Sequence, residues 1–262
     1  VIEAGLGIWA IAIPAILLAL LALAEYARPR RALVLGRHPR WLTHALFFLT
    51  NAIVGRLLAF VVVVGVTAQW SEENGFGMFH LISWPWWVEA LLAFAILDFA
   101  VWLQHLLMHR WPLLWRVHKV HHSDRDLDAT TALRFHPFEL IVSTLYKSGW
   151  VALLGVPVMI ALAFELWLNA NALFNHSNIR LPRWLDRGLR PFIVTPDMHL
   201  VHHSTLPAEQ HRNYGFALTI WDRIFGTYAA HSILGERQQI GLAETSDASP
   251  GQFLWSMKLP LT

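Results

Sequence analysis

Long apolar stretches alternate with short polar ones along this chain. The first covers residues 8–24 and gives way to a basic segment with Arg28, Arg30, Arg31, Arg37 and Arg40. The second covers residues 45–68, and an acidic polar loop follows at 71–77. The third, residues 84–103, opens on Trp84, Trp86 and Trp87, an anchor suited to a membrane–water interface. Each is long enough to cross about 30 Å of hydrocarbon as a helix. The fourth, residues 138–174, is too long for one simple span. Gly149, Gly155 and Pro157 lie near its middle, and proline disfavours an uninterrupted helix, so a helical hairpin is predicted. The first run has neither a basic leading segment nor a small-residue cleavage site, so a removed signal peptide is not expected.

Composition supports a membrane class. Of 262 residues, 55% are hydrophobic and only 15% charged, with a mean hydropathy of +0.42; soluble domains carry about 25% charged residues. The net charge of +2 gives no reason to expect a nucleic-acid partner. The basic residues cluster instead, at 28–40 and 180–190, which puts those segments on the cytoplasmic side and the acidic loop outside. Beyond Asn175 the chain reads as a polar cap of short helices turning at Pro182, Pro191, Pro196 and Pro207, and from Ile233 as a loosely docked tail. The expected fold is an all-α integral membrane protein. It has four or five transmembrane or membrane-dipping helices and a cytoplasmic helical cap. Residues 1–90 form N-terminal transmembrane helices, 91–230 a catalytic domain and 231–262 the tail.

Cysteine is absent, which excludes disulfides, thiolate metal sites and cysteine nucleophiles. Fourteen tryptophans suit interfaces, but 15 histidines need another account. Two stretches, "VHKVHHSD" and "MHLVHHST", repeat H-x-x-H-H. On a helix, positions i, i+3 and i+4 share a face. His118, His121 and His122 have that spacing, as do His199, His202 and His203; His105 and His109 form an i, i+4 pair. Neutral imidazole is a common metal ligand. These rings are too many for one four-coordinate zinc and enough for two metals of higher coordination. His38, His44, His80, His211 and His231 read as surface or interfacial residues.

The order H-x3-H, H-x2-H-H, H-x2-H-H resembles the fatty acid hydroxylase/sterol desaturase superfamily of membrane di-iron oxygenases. "TALRFHPFE", "LFNHSNIRLP" and "NYGFALTIWDRIFGTY" resemble further blocks of that family. The resemblance implies metal ligation by His105, His109, His118, His121, His122, His199, His202 and His203, with His176 as a further ligand. Family members have more histidines near Asn171 and Asn175; here those asparagines are weak ligands, outer-shell donors or plain substitutions. His136 is an outer-shell residue or a ligand. The resemblance also implies two iron ions, O2 as co-substrate, and hydroxylation or desaturation of a lipid such as a fatty acyl chain, sterol or carotenoid. A bacterial inner membrane or endoplasmic reticulum would house it.

Groups that accept the free N–H of a ligating imidazole fix its orientation. Candidates are Asp98, Asp124, Asp128, Asn175, Asp197 and Asp222. Asp98 stands out because it lies two helical turns before His105 within an apolar run, where an acid tends to be functional; its alternative is a hydrogen bond to a neighbouring helix. Asp222 and Arg223 are read equally as a structural ion pair. A lipid pocket is expected among Trp102, Leu103, Leu107, Phe135, Phe138, Leu168 and Phe174. The chain has no C-x-x-C-H haem attachment and no G-x-G-x-x-G, so electrons imply a separate donor protein. A metal-dependent lipid isomerase or hydrolase is the alternative enzyme. A metal transporter or sensor is the alternative outside catalysis, though transporters place their sites near the bilayer midplane.

Overall fold

The computed structural model describes residues 2–58, 64–245 and 247–262. The centre of the second apolar run, 59–63, lies outside the described residues. Among the described residues the fold is all helical, with isolated backbone bridges such as Ile193–Leu218 and Ser204–Ile240 but no strand.

The first three apolar runs lie in helices α1 (Ile2–Ala27), α2 (Arg37–Leu58), α3 (Val64–Asn74) and α4 (Trp86–Arg110), the second run contributing to both α2 and α3. After α4, Trp111 adopts an extended conformation and Pro112 opens α5 (Pro112–His122) at the position where proline is pre-organised. The fourth run folds as the expected hairpin, α6 (Pro137–Leu154) and α7 (Val158–His176). Gly155 ends α6 in the left-handed region at φ 70°, donating to Val151 O and Ala152 O, and Pro157 starts α7.

Two boundaries differ from the sequence reading. The 71–77 segment is helical through Asn74, because Ser71 is fully buried and the helix is terminated only at Gly75 and Gly77, both at positive φ. Gly77 also packs backbone to backbone on Gly155: a Cβ there would lie 2.2 Å from Gly155 N. The α4 helix runs past Leu103 to Arg110, so His105 and His109 sit on its last two turns rather than beyond it.

The main core joins Val64 and Ala68 of α3, Leu97 and Val101 of α4, Val151 and Leu154 of α6, and Phe164 and Leu168 of α7. Large apolar side chains remain exposed on the outside of this bundle, among them Leu20, Leu23, Phe48, Ile53, Leu57, Leu91, Leu153 and Met159. Trp86–Arg110 and Val158–His176 are long and apolar enough to cross a membrane by length and composition.

The polar end is built from α5, α8 (Arg183–Leu189), α9 (Pro196–His202), α10 (Pro207–Gln210) and α11 (Ile220–Ile224). The tail is not loosely docked. Phe253, on α12 (Phe253–Lys258), packs edge-on against Phe47 at 5.1 Å. Ser256 Oγ accepts from Arg134, Gly251 O accepts from Thr43, and Leu242 and Leu259 join Phe47 and Val120 in a second core. Burial of these scattered apolar residues against α2 and α5 fixes a segment whose local pattern is weak.

Candidate metal centre

Helix ends deliver the histidines to one buried place. His105 and His109 come from the end of α4, His118, His121 and His122 from α5, His176 from the last turn of α7, and His199, His202 and His203 from α9 and its C-cap. They divide into two groups whose ligand atoms lie within 4.8 Å of one another: His105, His109, His118, His122 and His202 in one, and His121, His176, His199 and His203 in the other.

Each H-x-x-H-H box is therefore split between groups, where shared spacing suggests convergence on one ion. At 3.6 residues per turn, i and i+4 differ by only about 40° around the axis, while i+3 and i+4 differ by about 100°. His118 and His122 stay together and His121 turns aside. In α9 the roles are exchanged: His199 and His203 stay together in the second group, and His202 turns back to the first.

The hydrogen bonds fix the tautomers. The Nδ1 of His105 lies 2.8 Å from Tyr214 O, that of His202 2.8 Å from Arg212 O, that of His176 2.7 Å from Ala172 O, and that of His121 3.3 Å from Arg134 O. A carbonyl oxygen only accepts, so Nδ1 carries the proton and Nε2 of each neutral ring is a bare lone pair. Yet Nε2 of His105 faces Nε2 of His202 at 3.0 Å, and Nε2 of His176 faces that of His121 at 3.0 Å. These are lone pairs facing lone pairs. Burial, reinforced by the neighbouring rings, holds the His202 pKa down at about 3 and that of His121 well below its usual value, so protonation does not relieve the repulsion. A cation does. Both nitrogens of His109 and His122, and Nε2 of His118, are buried without a hydrogen-bond partner, which fits the same requirement.

The outer groups differ from the expected set. The one acid bound to a clustered imidazole, among the described residues, is Glu139: its Oε1 lies 2.7 Å from His118 Nδ1. The sequence signal for it was the acid in the first turn of a helix opened by His136–Pro137. Asp98 instead accepts from Trp221 Nε1 at 2.8 Å and Leu218 N at 3.4 Å, its neighbouring-element alternative. Asp197 pairs with Arg30 at 2.5 Å, outside the cluster. Asn175 donates to Phe216 O and Asn171 to Trp167 O. His136 caps α6 by accepting from Phe138 N and faces Met257 O, apart from both groups.

Asp222 acts at one remove. Its oxygens accept from Tyr214 N, Gly215 N and Trp102 Nε1, clamping the turn whose Tyr214 carbonyl holds His105. Arg223 does not pair with it but stacks on Tyr228. Asp124 and Asp128 belong to a wholly buried network with Arg40, whose Nε reaches Asp124 at 2.7 Å and whose Nη1 reaches Asp128 at 2.5 Å. Burial pushes the Asp124 carboxyl up, but Arg40 and His44 overcome it and hold it well below the ordinary range. His44, expected at the surface or an interface, is buried with its Nε2 3.0 Å from Asp124. The network ties α2 to the strap following α5. Arg134, also fully buried, donates to Val120 O and Ser123 Oγ at the end of the second histidine box, while its own carbonyl holds His121.

A cavity of about 190 Å³ opens beside the first group. His105 and His118 line one end of it, with Phe135, Leu140, Leu168 and Phe216 among its walls. Phe135 and Leu168 were expected there; Trp102 instead stacks on Phe225 at 4.6 Å, and Phe138 is exposed.

Among the described residues the fold is all helical, with two helices apolar enough to span a membrane and two clusters of buried imidazoles that could hold metal ions. The chain belongs to the fatty acid hydroxylase family, whose sequence profile matches residues 90–227. Among its relatives, the ornithine lipid hydroxylase OlsE of Rhizobium tropici is 33% identical over 154 residues, covering 56% of this chain and 43% of that one. The alkylglycerol monooxygenase of Danio rerio is 30% identical over 170 residues, covering 62% and 35%. The human cholesterol 25-hydroxylase is 33% identical over 146 residues, covering 52% and 49%. The chain thus spans half or less of the length of these relatives. No solved structure matches it significantly.

Proposed function

We propose that this protein is a membrane-bound, O2-dependent oxidoreductase that hydroxylates a C–H position of a lipid, using two iron ions held by the nine clustered histidines. The carrying observation is the pair of imidazole groups whose bare Nε2 lone pairs face each other at 3.0 Å. His105, His109, His118, His122 and His202 hold one ion; His121, His176, His199 and His203 hold the other. The names of the three relatives, all hydroxylases or monooxygenases of lipids, favour iron over zinc, which has no redox chemistry. Iron bound there supplies the oxidising power that an unactivated C–H bond demands and that acid–base side chains lack.

The chain's own residues do the rest. Backbone carbonyls of Tyr214, Arg212, Ala172 and Arg134 hold His105, His202, His176 and His121 in the tautomer that presents Nε2, and Glu139 does so for His118. The cavity touches the first group through His105 and His118, so that group faces the substrate. Its apolar walls bind the lipid chain, exclude water and bring one carbon to the ions. The exposed apolar side chains of α1, α2, α4, α6 and α7 support four or five membrane-crossing or dipping helices; the basic segments at 28–40 and 180–190 favour a histidine cap on the cytoplasmic side, where a separate electron donor reaches it.

Metal analysis of the purified full chain tests this. About two irons per chain, with O2 uptake on adding lipid and reductant, is expected from two ligand groups. His121→Ala and His202→Ala abolish turnover while membrane insertion persists, and His231→Ala keeps both turnover and insertion. Two zincs with no oxygen uptake, or full turnover in either cluster variant, refutes the reading.

A further inference from the structure

The cavity is not uniformly apolar. From Glu139 at the histidine end it follows the same face of α6 past Leu140 and Ser143 to Lys147. Eight helical residues place those ends roughly 12 Å apart. At the far end Lys147 Nζ donates to both oxygens of Glu165, on α7, at 2.7 and 2.8 Å. The pair is mostly shielded, with Lys147 18% and Glu165 25% exposed. Asn169 lines the cavity beside it, and Gln104 donates to Ser143 Oγ midway. Lys147 lines the cavity that reaches the histidines, and Glu165 stands behind it, one helical turn before Asn169, which also lines the cavity.

Resting on the lipid-oxidation reading, we propose that the Lys147–Glu165 pair selects substrates that carry a neutral hydrogen-bonding group, such as a hydroxyl, roughly 12 Å along the chain from the carbon presented to the histidines. Lys147 has a third N–H to give and Glu165 has lone pairs to accept, so the intact pair offers a donor and an acceptor side by side. A hydroxyl uses both. A carboxylate or phosphate meets Glu165 as a like charge, and an ammonium meets Lys147 in the same way, in a site where little water screens either. A plain alkane leaves the pair without a new partner and gains nothing from it.

Binding, measured separately from turnover, tests the assignment. The full chain, metal-loaded in detergent, is titrated with hexadecanol, hexadecane, hexadecanoate and hexadecylamine, and retained ligand is counted by mass spectrometry. The wild type prefers hexadecanol over the other three by about tenfold, the ratio of a well-made hydrogen bond. Glu165→Gln frees the ammonium and turns the preference toward hexadecanoate; Lys147→Met frees the carboxylate and turns it toward hexadecylamine. The double conservative variant Lys147→Arg, Glu165→Asp keeps the hydroxyl preference, which separates recognition from a fold defect. Equal binding of all four probes by the wild type, or no change of charge preference in Glu165→Gln, overturns the proposal. Selective hexadecanol binding without oxidation of any lipid would instead leave the pocket assignment standing and defeat the catalytic reading.

Discussion

His105 and His202 point their Nε2 atoms at each other across 3.0 Å while the Nδ1 of each is bound to a backbone carbonyl. Two neutral rings so arranged repel, and an ion between the lone pairs converts the repulsion into ligation. Removing the metal with a chelator is therefore expected to lower the melting temperature, and adding it back to restore the loss, because an ion that binds only the folded chain stabilises it. Thermal unfolding of chelated and reloaded protein measures this.

The same burial sets a pH dependence. His202 has its pKa depressed to about 3, and those of His121, His199 and His203 lie well below the ordinary value. The unfolded chain binds protons on these rings below about pH 6.5, whereas the folded chain does not until far lower. Stability is thus complete above that pH and falls as pH drops toward the folded values. Denaturant midpoints at pH 7.5 and pH 5.0 are expected to fall together with bound metal, the lower pH giving the lower midpoint.

Glu139 is predicted to position His118. Glu139→Ala removes the acceptor at 2.7 Å and is expected to weaken metal affinity or turnover by about 10- to 100-fold. Glu139→Gln retains an oxygen that can accept and loses less. Metal titration of the two variants separates orientation from charge. His136→Ala, by contrast, loses the α6 cap and the contact with Met257 O, at about 1 kcal/mol for the cap, with metal content unchanged.

Asp222 and Gly215 hold the turn behind His105. Asp222→Ala strips acceptors from the Tyr214 and Gly215 amides, and a Cβ at residue 215 would lie 2.7 Å from Leu218 O. Asp222→Ala is expected to cost about 1–3 kcal/mol for each orphaned buried donor. Gly215→Ala destabilises through the close approach. Both are expected to lower metal content, although neither residue touches an imidazole; urea melts paired with metal analysis check it.

Arg40 sits with no exposed surface among Asp124, Asp128 and His44. Arg40→Met leaves two buried carboxylates without their guanidinium and is expected to cost about 3–5 kcal/mol. The loss should appear in equilibrium unfolding before any effect on ligand binding is read.

The helical class, the hairpin break at Gly155–Pro157 and the identity of the nine clustered histidines were legible in the sequence, because each is a local property. Apolar run length fixes what can span hydrocarbon, proline and glycine fix where a helix stops, and periodicity fixes which rings share a face. Even the sorting of each histidine box was latent in the 100° step of the helix. What surrounds those rings was decided only by tertiary structure. The acceptors at Tyr214, Arg212, Ala172 and Arg134 are backbone carbonyls, which every residue carries, so no side-chain pattern marks them. Asp98 and Glu139 are both acids near a histidine box; which one reaches an imidazole depended on how α4, α6 and α11 pack. The docking of the C-terminal segment on Phe47 and Arg134 likewise arises from contacts between residues far apart in the chain, where apolar burial rather than local periodicity sets the outcome.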